Sequence, residues 1–344
     1  MNKSAETTQM FAEAKQAAAV VAAQGAANAA RIAALALNLR ATPPSMVLSC
    51  ARGSSDHAAT FAKYLIETRL GIAVASQAPS IASVYGMAPR APDALCLAIS
   101  QSGKSPDILA AVESSSRAGA SSVALVNVED SPLANLADHV IPLRAGPELS
   151  VAATKSYIAT IAALIDLVAA WSGDRELATA LAAAPGQLEN AWAADWSPLV
   201  ERLRDVRGLY VIGRGLGLGI AQEAALKFKE TCGLHAEAFS AAEVRHGPMA
   251  LVKQGFPLLV FRQSDETESG IDDLISEIVA RGGEVIVAGP APRGAIALPS
   301  ISAHPVIEPM LQIQSFYRAV NALSVARGLD PDRPPYLAKV TETL

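Results

Sequence analysis

The sequence is short of three things, and each shortage excludes a class of protein. Among 344 residues there are three cysteines, Cys50, Cys96 and Cys232. An odd number this far apart forms neither a disulfide framework nor a Cys-x-x-Cys pair. A reducing compartment, the cytoplasm, is therefore expected. Lys/Arg runs are also missing, and the formal charge is −5. That argues against a nucleic-acid partner, and it means a phosphorylated ligand must be held by a local site. Finally, long uninterrupted apolar runs are lacking. Lys3, Glu6, Glu13 and Lys15 break up the N-terminus, unlike a signal peptide. The most apolar helix expected, Tyr157 to Trp171, contains Asp166 and is too short for a bilayer. No membrane partner is expected.

What is abundant is aliphatic. Hydrophobic residues make up 51% and aromatics only 5%. A large core lined by small side chains suits closely packed helices over a sheet. The length is enough for two domains.

The chain also repeats itself. Met46 to Cys50 is an apolar run followed by Gly53; Leu209 to Ile212 is another, followed by Gly213 and Gly215. Ala94 to Ile99 ends in Ser100-Gln101-Ser102, and Pro257 to Phe261 ends in Arg262-Gln263-Ser264. Val123 to Val126 matches Val285 to Ala288. Each match has the same offset, 162 residues, as from Gly53 to Gly215. Continuous apolar runs alternating with helices imply parallel strands buried on both faces. The predicted fold is α/β: two tandem doubly wound parallel-sheet domains of flavodoxin type, related by the repeat. The boundaries read as an N-terminal helix over 1–29, a first domain over 30–172, a helical linker over 173–194, a second domain over 195–328 and an extended tail over 329–344.

Ser100-Gln101-Ser102-Gly103-Lys104-Ser105 follows a strand and precedes a helix starting near Pro106, with Ser105 expected as its N-cap. Ligands of open parallel sheets sit beyond the carboxyl ends of strands. Helix N-termini favour anions, and three hydroxyls and an amide add neutral donors. An ordinary capped loop fits the same residues. The counterpart loop, Arg262 to Glu266, carries Asp265 and Glu266, so the halves are not equivalent. Two nucleotide motifs fail: Ala98 stands where a P-loop needs its first glycine, and Leu218 where a dinucleotide fingerprint needs its third.

Glu223, Lys227 and Glu230 are spaced to share one face of a helix expected over 220–234. That pattern fits a solvated stripe or, buried among Ala224, Ala225, Leu226 and Phe228, a proton shuttle. His246 lies in a polar cluster with Glu243 and Arg245. The other histidines, His57, His139, His235 and His304, form no metal-ligand set, so no metal is expected. Lys339, near the end, is a candidate Schiff-base amine if desolvated.

Taken together these segments resemble the sugar isomerase (SIS) domain family, in particular the isomerase half of glucosamine-6-phosphate synthase. The resemblance rests on Ser100-Gln101-Ser102-Gly103, the stretch Glu148 to Lys155, Ala225 to Glu230, His235-Ala236-Glu237-Ala238, Val244 to Pro248 and Leu337-Ala338-Lys339. It implies a sugar phosphate held by Ser55, Ser100, Gln101, Ser102 and Ser105, with the segments at Val151 and Ala338 also lining the ligand. It assigns Glu230 to proton transfer between C1 and C2, Lys227 to its support, Lys339 to the sugar carbonyl and His246 to ring opening. It further implies a homodimer with His246 contributed across the interface, and no cofactor. Lys104 departs from an acid usual in the synthase, and Ala153 from a serine. The chain begins Met1-Asn2-Lys3 without an N-terminal cysteine nucleophile, so glutamine hydrolysis is not expected of it. The reaction expected is glucosamine 6-phosphate plus water giving fructose 6-phosphate and ammonia. Another phosphosugar isomerase or deaminase, a synthase subunit using a separate glutaminase, and a non-catalytic sensor are the rivals.

Overall fold

A computed structural model describes residues 4–339. The chain divides into two compact units. One comprises 19–148, 155–182 and 338–339; the other comprises 4–18, 149–154 and 183–337.

The leading helical region is two helices, α1 (Gln9–Lys15) and α2 (Ala17–Ala41). α2 runs on past residue 29 to the edge of the first strand. The first half continues as β1 (Val47–Cys50), α3 (Ser54–Leu70), β2 (Val74–Ser76), α4 (Ser80–Ser83), β3 (Leu95–Ser100), α5 (Pro106–Arg117), β4 (Ser121–Val126), α6 (Pro132–Leu136), β5 (His139–Pro142) and α7 (Lys155–Ser172). The remainder is α8 (Arg175–Ala193), α9 (Ser197–Leu203), β6 (Gly208–Gly213), α10 (Gly217–Cys232), β7 (His235–Ser240), β8 (Pro257–Phe261), α11 (Glu268–Ala280), β9 (Glu284–Ala288), β10 (Ile296–Leu298) and α12 (Glu308–Ala326).

The strands form two five-stranded parallel sheets, β2-β1-β3-β4-β5 and β7-β6-β8-β9-β10. Numbered within its own half, each sheet has the order 2-1-3-4-5, the flavodoxin-like arrangement. The 162-residue repeat is thus a repeat of topology: β1, β3 and β4 correspond to β6, β8 and β9. These are the strands whose residues are nearly all buried. With helices on both faces there is no wet side, and the sequence reads as unbroken aliphatic runs.

α7 begins two residues earlier than its apolar pattern predicts and reaches 18 residues, long and apolar enough to cross a membrane, as is α2. Yet 83% of α7 is buried, and it packs on α3. It serves as a core helix.

Candidate functional site

In a 2-1-3-4-5 sheet the chain leaves β1 for one side and returns at β3 on the other. The loops after β1 and β3 therefore diverge and open a crevice at the strand ends. Both serine clusters predicted to bind phosphate flank this point. Ser55 lies in the first turn of α3, directly after β1, and is half-buried. Ser100 ends β3, and Gln101, Ser102 and Ser105 follow, all partly open to solvent.

The serine loop is internally braced. Ser100 Oγ accepts the Gly103 N–H at 3.1 Å, and the Leu133 N–H donates to the Gly103 carbonyl at 3.1 Å. Gly103 has φ +63°, and a Cβ there would meet Ser131 Oγ at 2.2 Å. The loop is seated so tightly on α6 that only glycine fits. Ser105 occupies the N-cap position of α5 with extended backbone, but its hydroxyl makes no capping bond. The helix-start reading of Ser105 is correct in place and wrong in contact. Its hydroxyl is not committed to the helix.

The counterpart loop of the second half has taken another course. Ser264 donates from its N–H at 2.9 Å and its Oγ at 2.7 Å to the carboxylate of Glu308, at the start of α12. Gln263 Oε1 accepts the Gly217 N–H at 2.9 Å, and a Cβ on Gly217 would meet that oxygen at 2.4 Å. Within the Gly213–Gly219 run, Gly217 is therefore explained by close packing on Gln263, and Gly213 by its close approach to the Gly217 carbonyl. Arg262 pairs with Glu268 and Asp272 at 2.7 Å each. A carboxylate of the chain itself occupies the donors that this loop offers. Glu308→Ala should leave those donors unmatched and lower stability by about 1.5–3 kcal/mol, read as a lower urea midpoint.

α10 carries the acid–base candidates, and burial excludes the solvated stripe. Glu223 and Lys227 are essentially inaccessible, and the Glu230 side chain is 20% exposed. Lys227 Nζ lies 3.3 Å from Glu223 Oε1 and 2.5 Å from Glu230 Oε2. Burial pushes the ammonium's pKa down, but the two carboxylates outweigh it and hold it above the ordinary lysine value. Tyr317 Oη on α12 donates to Glu223 Oε1 at 3.0 Å, a partner that local spacing did not reveal. Glu230 lines a cavity of about 380 Å³, walled also by Leu226, Leu329, Pro335 and Leu337.

The other predicted residues are placed as follows. His246 ends a 3-10 turn and is exposed, and its side chain makes no hydrogen bond among the described residues. It is not joined to Lys227 or Glu230. Val151 is half-buried, and the residues before it are held by Glu13 of α1, whose carboxylate accepts the Leu149 and Ser150 N–H groups. Glu13 escaped sequence reasoning because it lies 136 residues away. Ala338 is exposed. Lys339 Nζ lies 3.5 Å from the buried carboxylate of Glu148, which also accepts the Ser156 N–H at 3.2 Å. Residues 340–344 lie outside the described part of the tail. No group of His, Cys, Asp and Glu suited to a metal occurs among the described residues. All three cysteines are buried, and burial pushes the thiols of Cys96 and Cys232 up to about 11 and about 12.

Fold and site together define a duplicated doubly wound α/β protein whose halves have diverged. One ends its central strand in a braced hydroxyl-rich loop, and the other carries a buried acid–lysine–acid row. The chain belongs to the SIS domain family, whose model matches residues 42–170 and 202–293, a segment in each half. It is 36% identical over 309 residues to the glutamine–fructose-6-phosphate aminotransferase (isomerizing) of Aeropyrum pernix, covering 83% of this chain and 49% of the relative. The chain thus spans about half the length of the curated relatives it matches. Among solved structures, one from Silicibacter pomeroyi DSS-3, with a provisional phosphosugar isomerase assignment, is 43% identical, with a TM-score of 0.90. The match covers 94% of this chain and all of that one. The C-terminal domain of glucosamine-fructose-6-phosphate aminotransferase from Francisella tularensis is 25% identical, with a TM-score of 0.85 over 95% of this chain and 98% of that one.

Proposed function

We propose that this protein is a phosphosugar aldose–ketose isomerase that acts as a deaminase, converting glucosamine 6-phosphate and water to fructose 6-phosphate and ammonia. The observation that carries the reading is the Glu223–Lys227–Glu230 row. A carboxylate partly open to a cavity, backed by a fully buried ammonium, suits a group that takes and returns a proton. The ammonium offsets the charge on Glu230 without consuming its outward oxygen.

In this reading Ser55, Ser100, Gln101, Ser102 and Ser105 hold the phosphate, with the backbone at Val151 and Ala338 on the sugar. His246, supplied by the second subunit of a homodimer, assists ring opening; its exposure leaves it available for that role. Lys339 meets the carbonyl. Glu230 then moves the proton from C2 of the amino sugar to C1, which leaves an imine at C2. Water adds there and ammonia departs. Every step is acid–base chemistry, so the reading needs no metal or redox cofactor. A cytoplasmic setting agrees with the three thiols.

The test is a substrate panel. Pure protein is incubated with aldose and ketose 6-phosphates, amino-sugar 6-phosphates and their unphosphorylated counterparts. Turnover confined to phosphorylated sugars is expected. Turnover of free sugars with equal efficiency would sink the phosphate reading.

A further inference from the structure

The serine loop raises an electrostatic problem. α3 and α5 both present their N-termini at the crevice, and each carries an acid in its first turn, Asp56 and Asp107. Asp107 is wholly inaccessible, and one of its oxygens accepts the N–H of its neighbour Ile108 at 2.9 Å. A buried carboxylate beside the expected phosphate position opposes a dianion.

Arg52 answers that charge. It lies in the loop after β1, and its Nε and Nη2 both contact Asp107 Oδ2, at 2.9 and 2.8 Å. The bond therefore ties the loop after β1 to the helix after β3, across the point where the chain switches direction. Arg52's field also reaches α3. Burial raises the Asp56 pKa, and His57 and then Arg52 lower it. Arg52 Nη1 has no hydrogen-bond partner among the described residues, and the side chain is 51% exposed. A guanidinium can bind two anions at once through different edges of its fork.

Building on the phosphate reading of this loop, we propose that Arg52 is a further ligand-binding residue, which neutralises Asp107 with one edge and receives the phosphate with the other. Arg52 is thereby both a strap between the two loops and a cationic donor fixed by a buried carboxylate, beside the hydroxyls and amides of the cup. It would favour a phosphorylated ligand over a neutral sugar.

Inorganic phosphate titrated calorimetrically into the full chain tests this, alongside KM and kcat for glucosamine 6-phosphate. Arg52→Ala should weaken phosphate binding about ten- to hundredfold and raise KM in step, with kcat at saturation within about threefold. Arg52→Ala with Asp107→Asn should recover part of the loss, because the opposing charge is gone. Arg52→Lys, which keeps the charge but not the fork, should fall between wild type and alanine. It carries the test should the alanine variant fail to fold. A variant that binds phosphate as wild type does overturns the role of Arg52 and leaves the cup itself standing. Wild-type protein that binds no phosphate overturns the phosphate reading from which this proposal starts. A loss of melting temperature with phosphate affinity unchanged reduces Arg52 to a strap and also overturns the proposal.

Discussion

Glu230→Gln is expected to cut kcat by about 10²–10⁴-fold while leaving substrate affinity within a few-fold. The amide is nearly isosteric and can still face Lys227 Nζ, now 2.5 Å from Glu230 Oε2, through its carbonyl oxygen. The cavity beside it keeps its shape. What is lost is the ability to carry a proton between two carbons. Steady-state kinetics with calorimetric binding separate these effects. Full activity in the variant would remove Glu230 from the mechanism. Lost binding with an intact fold would make it a contact residue instead.

The second large effect concerns Lys227. Lys227→Met removes a fully buried ammonium and leaves the Glu223 carboxylate, also fully buried, without its cation. Breaking a buried pair from one side costs about 3–5 kcal/mol, so a clear drop in the unfolding midpoint is expected at neutral pH. Activity should fall too, because Glu230 loses the same cation. The pH dependence has a definite sign. The folded-state pKa of Lys227 is raised, its two carboxylates overcoming the effect of burial. Its contribution to stability is therefore fully present below the ordinary lysine value, about 10.4. It is lost as pH rises through the raised folded value. The gap between wild type and variant should hold at neutral pH and narrow in strong alkali. Urea unfolding at a series of pH values measures this. A gap that persists undiminished in strong alkali would contradict the assignment of Lys227 as the stabilising charge.

The parts of this molecule that sequence revealed are those with local signatures. β1, β3, β4, β6, β8 and β9 are buried on both faces, so each reads as an aliphatic run, and duplication makes each run vouch for another. β2, β5 and β10 were not legible. They are edge strands of three or four residues, partly exposed, and too short for any pattern. The same contrast holds in the site. Glu223, Lys227 and Glu230 announce a common helix face by spacing alone, and only the structure shows that the face is buried rather than solvated. Tyr317 on Glu223, Glu13 on Leu149, Arg52 on Asp107 and Glu308 on Ser264 are pairings between distant segments. Their partners are set by the register of the sheets and the packing of helices, which no local pattern encodes.

The two central loops illustrate how a duplicated fold can divide its labour. Both begin from the same strand end and the same Gln-Ser pair. In the first half the loop is braced by the Ser100 hydroxyl and by a backbone bond from Leu133 of α6, and the Ser105 hydroxyl is not used for capping. In the second, Glu308 meets the serine. A single internal carboxylate gives the second loop a ligand of its own, while the adjacent α10 carries the buried Glu223–Lys227–Glu230 row.

The most direct test of the central claim is to incubate the pure protein with glucosamine 6-phosphate alone and measure ammonia and fructose 6-phosphate together. The account expects both products in equal amounts, with no glutamine present. Saturable binding of the sugar phosphate without release of either product would contradict it.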